Sequence, residues 1–310
     1  MLKINVTKVI EFTLWGFQDI EIFSPALFVP FLLIYILTLF GNLLIIALVL
    51  KVQTLKSPMY FFLTQLSLCD ILLTTNTVPN MLHVLLKRGS KISIAGCLTQ
   101  YFFYSVSASA ESLLLTVMSY DRYLAICRPL HYTSVMDLRL QSHLVFWSWL
   151  LPFMVGVLTV LQILNLQFCG PHIIDHYFCD IAPILELSCS DHNNIDLTYF
   201  ILAIMFALIP FGFIVCTYVF IFSAIFGISS SSGKEKAFST CSSHLIVVCT
   251  YYGTLITIYM VPTKGHSFNV NKVISLLYTL ATPFCNPIIY SLRNKQIKKS
   301  LMKGFLDVAG

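Results

Sequence analysis

Charge is scarce in this chain: Asp, Glu, Lys and Arg make up 11% of its 310 residues, hydrophobic residues make up 57%, and the mean hydropathy is +0.82. A soluble core of this size has no use for so much apolar surface, so the shortage of charge excludes a soluble globular domain and indicates a polytopic membrane protein. The pattern of a cleavable leader is also missing. Residues 1–24 mix charges with isolated apolar residues and lack a basic start, an apolar centre and a small-residue cleavage site, so the first apolar run is expected to do the targeting. Enzyme signatures are absent as well: there is no Gly-x-Ser-x-Gly, no His-Glu-x-x-His and no Gly-rich phosphate loop. No catalytic residue is assigned.

What is present is a series of apolar runs of spanning length, at roughly 26–50, 59–82, 98–120, 143–164, 197–226, 237–261 and 272–292. Backbone groups in lipid must be satisfied within the segment, and these runs are far longer than barrel strands, so all seven are expected to be helices of one bundle. The expected organisation is an extracellular N-terminus over 1–25, a seven-helix domain over 26–292 and a cytoplasmic tail over 293–310. An odd number of spans without an internal repeat argues against a secondary transporter, which also places carboxylates at mid-membrane. With the N-terminus outside, most basic residues, from Lys51, Lys56, Arg122 and Arg128 to Lys298 and Lys299, fall on the inner side. Lys87, Arg88 and Lys91 run against that rule in the first outer loop. The sequon Asn5-Val6-Thr7 agrees with an external N-terminus and makes Asn5 the expected glycosylation site.

Several residues are too polar for their surroundings. Asp70 lies about 18 Å and Glu111 about 16 Å from the inner helix ends at 1.5 Å per residue. Two carboxylates at one depth must be protonated, paired or bound to a cation, so a sodium or proton site and a plain polar cluster both remain open. Asp121 and Arg122 follow an apolar run and mark the point where the third helix reaches a membrane face, with Pro129 ending it. Gly41-Asn42 puts a small residue beside an amide expected to bond across helices. Pro210 interrupts the fifth span, and Pro283 and Pro287 free backbone groups in the seventh. Tyr252, Leu255 and Tyr259 share one side of the sixth. Ile297, Leu301 and Phe305 recur among Lys295, Lys298, Lys299 and Lys303, which reads as a basic amphipathic helix on membrane lipid of the inner leaflet.

Four of the ten cysteines, Cys97, Cys169, Cys179 and Cys189, fall outside on this topology, where three disulfide pairings are possible. The loop from about Asn165 to Asp196 is long enough for a lid. In it His172, His176 and Cys179 have spacings that suit zinc or copper, but a disulfide at Cys179 would leave a structural loop and no metal site.

Taken together, MSYDRYLAICRPLHY (Met118–Tyr132), Gly41-Asn42, LKSPMYFFL (Leu55–Leu63), KAFSTCSSHL (Lys236–Leu245) and PFCNPIIYSLRN (Pro283–Asn294) resemble the olfactory (odorant) receptors. These are a branch of the rhodopsin-like G-protein-coupled receptors, and the likeness is to their tetrapod-type class. It covers essentially the whole chain, with Lys56 replacing a more usual His and Thr217-Tyr218 a more usual Ser-Tyr. The resemblance implies an all-α seven-transmembrane bundle with a short eighth helix, in the plasma membrane. It pairs Cys97 with Cys179 and Cys169 with Cys189. It implies a stimulatory, olfactory-type G protein that raises cyclic AMP, with Asp121, Arg122, Tyr123, Tyr218, Asn286, Pro287 and Tyr290 serving coupling and activation. It offers sodium as the ion near Asp70 and Glu111, and it implies no cofactor. The pocket it implies consists of Tyr104, Ser105, Ala108 and Ser109 on helix three, Leu202, Ala203 and Phe206 on five, Tyr252, Leu255 and Tyr259 on six, and Thr279 on seven. Tyr104 stands where amine-sensing relatives place an aspartate. None of the eleven carries a formal charge, so the volatile ligand is expected to be neutral.

Overall fold

The computed structural model describes residues 10–17, 24–169, 172–260, 268–294 and 296–302. Seven long helical columns make up these described residues: α1 (Ser24–Lys51), α2 (Pro58–Lys87), α3 (Ile94–Cys127), α4 (Leu138–Leu164), α5 (Asn193–Gly227), α6 (Ser231–Met260) and α7 (Phe268–Leu276 continuing through Leu277–Ala281 to Thr282–Arg293). The 30 residues of α2 extend about 45 Å at 1.5 Å per residue, more than the roughly 30 Å of a hydrocarbon core. Capping chemistry sets the helix ends where hydropathy does not. The Ser93 hydroxyl accepts the Gly96 N–H at 3.1 Å and starts α3 four residues before the apolar run, and Asp137 accepts the Leu140 N–H at 2.7 Å to start α4.

Among the described residues, five columns are long and apolar enough to cross a membrane by composition alone, namely α1, α2, α4, α5 and α7. In α6 only Cys241–Ile256 is strongly apolar, and α3 falls short altogether. The reason is position. α3 runs through the middle of the bundle, packed against α2, α4, α5 and α6, so its surroundings are protein and it can carry hydroxyls and carboxylates. The lipid-like surface belongs to the outer columns, where Phe40, Phe146, Trp147, Phe200 and Phe220 are exposed.

A small sheet, which an all-helical reading has no place for, closes one end of the bundle. β1 (Glu11–Leu14) pairs antiparallel with β2 (Ser90–Ser93), Glu11 opposite Ser93, and parallel with β3 (Ile173–Ile174), Thr13 opposite Ile173. Phe12, Leu14 and Ile174 on its inner face are buried against Cys97 and Cys179. At the other end, the helical residues 296–302 fold back on the bundle, with Ile297 and Leu301 against the core and Lys298 and Lys299 exposed. The Tyr60 hydroxyl holds them by donating to Gln296 Oε1 at 2.7 Å and Asn294 Oδ1 at 3.1 Å. Phe305 and Lys303 lie outside the described residues.

Prolines shape α5 and α7. Each is preceded by a π-helical turn, Ile204–Leu208 before Pro210 and Leu277–Ala281 before Pro283. A proline ring clashes with the carbonyl four residues back and offers it no N–H, and the wider turn makes room. Donors from other helices take up the freed carbonyls. Ser112 of α3 donates to the Phe206 carbonyl at 2.6 Å, four residues before Pro210, and in turn receives the Tyr252 hydroxyl of α6 at 2.8 Å. Asn42 of α1 donates to the Pro283 carbonyl at 3.2 Å, four residues before Pro287. Gly41 makes that approach possible, because a Cβ there would stand 3.1 Å from the Pro287 ring.

Removing the Ser112 hydroxyl strands the Phe206 carbonyl and the Tyr252 hydroxyl together. Ser112→Ala is therefore expected to cost about 1–3 kcal/mol. Tyr252→Phe, which leaves the Ser112–Phe206 bond in place, should cost less. Thermal melting of the purified protein checks both, and equal melting of Ser112→Ala and the parent would contradict the bonding scheme.

Candidate functional site

Between the sheet end and the middle of the bundle lies a cavity of about 380 Å³, near the lower end of the range for small-molecule sites. One face of α3 lines it with Tyr101, Tyr104, Ser105, Ala108 and Ser109, residues that repeat at helical spacing. α4 contributes Pro152, Val155, Gly156 and Thr159; α5 contributes Tyr199, Leu202, Ala203, Phe206 and Ala207; Tyr251 and Leu255 come from α6 and Tyr278 from α7. Gly156 lets α4 close against α3, since a Cβ there would reach Phe102 and Val106 at 3.0 Å. The Tyr101 and Tyr199 hydroxyls are hydrogen-bonded to each other, and the Tyr251 hydroxyl donates to the Ala108 carbonyl at 2.9 Å.

The roof of the cavity is a strap, residues 173–182, that supplies Asp180, Ile181 and Ala182 to the lining. Cys179 is bonded to Cys97 at 2.03 Å, and its N–H donates to Gln100 Oε1 at 2.9 Å, which fixes the strap to the start of α3. A second disulfide joins Cys169 and Cys189. Three consecutive strap residues then bond along one face of α7. Lys272 Nζ donates to Asp175 at 2.5 Å, His176 Nε2 meets Ser275 Oγ at 3.2 Å, and the Tyr177 hydroxyl donates to Thr279 Oγ1 at 3.0 Å. Burial, and then the Lys272 ammonium, lowers the His176 pKa to about 3, so its ring is neutral at pH 7. The Phe178 N–H points at Nδ1 at 3.4 Å, which leaves the proton on Nε2 facing Ser275. Asp180 Oδ1 accepts the Ile181 N–H at 2.8 Å and caps the short helix Ile181–Glu186. Burial pushes the Asp180 carboxyl up, and the Ile181 N–H opposes that shift. With Cys179 in a disulfide and His176 engaged with Ser275, zinc or copper has no donor set in His172, His176 and Cys179, and no metal-capable cluster exists among the described residues.

Deeper in the bundle the Asn286 amide of α7 donates to both Asp70 oxygens at 3.1 Å and approaches Glu111 Oε1 at 3.4 Å. Among the described residues, Asn286 Oδ1 and the Tyr290 hydroxyl beside this cluster are buried without a partner. Toward the far end His244 of α6 lies between two helices, with Nε2 3.1 Å from the Leu115 carbonyl and Nδ1 2.7 Å from the Tyr218 hydroxyl. A carbonyl only accepts, so Nε2 carries the proton and the neutral ring accepts from Tyr218. Asp121 is fully buried and Arg122 nearly so, and α3 continues to Cys127 beyond them. Arg122 Nε donates to Asp121 Oδ2 at 3.0 Å and Nη2 to the same oxygen, while the Tyr132 hydroxyl donates to Asp121 Oδ1 at 2.8 Å. Tyr123 packs edge-on against Phe220.

A family model described as olfactory receptor matches residues 31–308. This chain belongs to the olfactory receptor family. It is 45% identical to olfactory receptor 11A1 of Homo sapiens over 293 residues, 94% of this chain and 93% of that one. To olfactory receptor 1G1 of Gorilla gorilla gorilla it is 44% identical over 299 residues, 96% of each chain, and to olfactory receptor 2B6 of Mus musculus 43% over 293 residues, 94% of each. The receptor is thus an odorant-sensing G-protein-coupled receptor, a multi-pass membrane protein with a seven-transmembrane fold and not an enzyme.

Eight of the eleven pocket residues implied by resemblance line the receptor's cavity: Tyr104, Ser105, Ala108, Ser109, Leu202, Ala203, Phe206 and Leu255. Tyr252 does not. One residue along a helix is a turn of about 100°, and it is Tyr251 that faces the cavity while Tyr252 packs on Phe211 and bonds Ser112. Thr279 is also turned away, held between Tyr177 and the Ser275 carbonyl. The Tyr259 side chain and Asn5 lie outside the described residues. The eleven expected residues are uncharged, but the strap adds the carboxyl group of Asp180 to the lining, so the expectation of a neutral ligand loses its basis. Sequence reasoning also missed Tyr278, Lys272 and His244. His244 was within reach, since a lone histidine in an otherwise apolar span needs two partners.

For His176 the sign of the pH effect follows from a folded pKa below the ordinary 6.5. The strap's hold is complete above about pH 6.5 and weakens as pH falls toward about 3. With the intrinsic pH dependence of amide exchange divided out, the protection of residues 173–180 should fall over that window in the parent and change less in His176→Gln. Identical profiles would contradict the assignment.

Proposed function

We propose that the receptor binds a small volatile molecule in the α3–α6 cavity and activates a stimulatory, olfactory-type G protein, raising cyclic AMP. The observation that carries this reading is the way α6 is fastened to α3. From the cavity toward Arg122, the Tyr251 hydroxyl donates to the Ala108 carbonyl, Tyr252 bonds Ser112, and His244 bonds the Leu115 carbonyl. The partners 108, 112 and 115 form one stripe on α3. A ligand against Tyr251 and Leu255 acts at the first of these fastenings. It favours an arrangement with α6 displaced only by as much as it binds that arrangement better. In the idle arrangement Asp121 holds Arg122; in the open one Arg122 meets the partner's terminal helix, and Tyr218 and Tyr290 brace the opening.

In this reading the chain sits in the plasma membrane with the sheet and an Asn5-glycosylated N-terminus outside. The bundle ends near residue 292, and Lys298 and Lys299 face anionic lipid of the inner leaflet. The Asp70, Glu111 and Asn286 cluster serves as a sodium-responsive element, supported by two carboxylates sharing one amide donor.

Arg122→Ala is expected to abolish odorant-driven cyclic AMP at surface expression matched to the parent, and undiminished signalling would refute the coupling role. Asp70→Asn and Glu111→Gln should each change how basal cyclic AMP depends on sodium. If neither does, the cluster only joins helices.

A further inference from the structure

Among the described residues that line the cavity, Asp180 is the one carboxylate and none is Lys, Arg or His. The carboxylate accepts one hydrogen bond, from the Ile181 N–H to Oδ1, and is held in place by the neighbouring Cys179–Cys97 disulfide. The nearby cationic side chain on α7, Lys272, is engaged by the strap's Asp175 at 2.5 Å, and His176 is bonded to Ser275. Among the described residues, Asp180 therefore faces the cavity as an acid without a paired cation. Tyr101, Tyr104 and Tyr278 lie within its electrostatic reach, and Tyr199 and Tyr251 complete an aromatic wall.

From this geometry we propose that the cavity recognises a small organic ammonium ion, its charged nitrogen against Asp180 and its carbon body against the tyrosine faces and Leu255. The inference rests on the reading above that this cavity is the ligand site. An ammonium entering an apolar cavity loses its hydration, and a fixed carboxylate at short range returns much of that cost. Aromatic faces attract the same cation through their quadrupoles. A neutral molecule of the same skeleton gains neither and leaves the half-buried Asp180 without a counter-charge. A carboxylate ligand meets like charge and no cation among the described lining residues.

The test uses the purified full-length receptor and a panel of carbon skeletons, each supplied as primary amine, alcohol and carboxylic acid, such as cyclohexylamine, cyclohexanol and cyclohexanecarboxylic acid. Ligand-dependent melting gives the affinities. For the best-fitting skeleton the amine should bind about tenfold or more tightly than the alcohol, the scale of one uncompensated interaction, and the acid should be weakest. Asp180→Asn keeps the cap on Ile181 and removes only the charge, so it should bring the amine to the alcohol's affinity and leave the alcohol where it was. Ala203→Phe, which fills the cavity, should abolish both. The proposal is overturned if no amine stabilises the receptor, if alcohols match or exceed amines, or if Asp180→Asn leaves the amine preference intact. An amine that binds through Asp180 without raising cyclic AMP in cells would leave this inference standing and sink the coupling reading. A neutral odorant that binds best and signals would do the reverse.

Discussion

One hydroxyl in the middle of the bundle joins three helices. Ser112 of α3 receives the Tyr252 hydroxyl of α6 and donates to the Phe206 carbonyl of α5, the carbonyl that Pro210 leaves without its helical donor. In surroundings without water an unmet carbonyl is expensive, so the proline in α5 is tolerable only where α3 presents a donor. The same logic holds across the bundle, where Asn42 of α1 serves the Pro283 carbonyl ahead of Pro287. Backbone irregularity and buried side-chain polarity are therefore two halves of one arrangement. It explains why the central helix is the one whose composition looks least suited to a membrane.

Much of the bundle was legible in the sequence because lipid imposes length and hydropathy together. The runs that α1, α2, α4, α5 and α7 occupy stand out on those grounds alone. α3 and α6 are less apolar because much of their surface meets protein, and the motifs around Arg122 and Lys236–Leu245 located them better than hydropathy did. The sheet was not legible. Four residues at Glu11–Leu14 and two at Ile173–Ile174 carry no periodic signal, and their pairing depends on a disulfide and an inner face that the fold creates. Within the cavity, the resemblance supplied the lining positions on α3 and α5 and Leu255 on α6, but it named Tyr252 where Tyr251 faces the space. Tyr251 and Tyr252 are chemically identical and differ only in direction, which no composition rule resolves. Asp180 was invisible as a lining residue because its place depends on how the strap folds back over the helices.

The strap also separates two electrostatic compartments. On its α7 side a buried ammonium, Lys272, is matched by Asp175, and the adjacent His176 stays neutral. On its cavity side Asp180 has only a backbone N–H for company. The disulfide between Cys97 and Cys179 lies next to that boundary and ties the residue before Asp180 to α3. Among the described residues, the charge on the α7 side is thus matched and the one on the cavity side is not.

The two π-helical turns have a consequence for the chain as a mechanical object. Each is equivalent to one surplus residue in a helix, absorbed at Ile204–Leu208 and at Leu277–Ala281, both beside cavity-lining side chains. A helix that holds a surplus residue can lose one there and relax to ordinary winding with the side chains beyond it still facing as they did. Loss of a single codon in either window would then leave the lower half of the column aimed as before and its hydrogen-bond ladder whole. The same loss in the uninterrupted middle of α3 would scramble every contact below it.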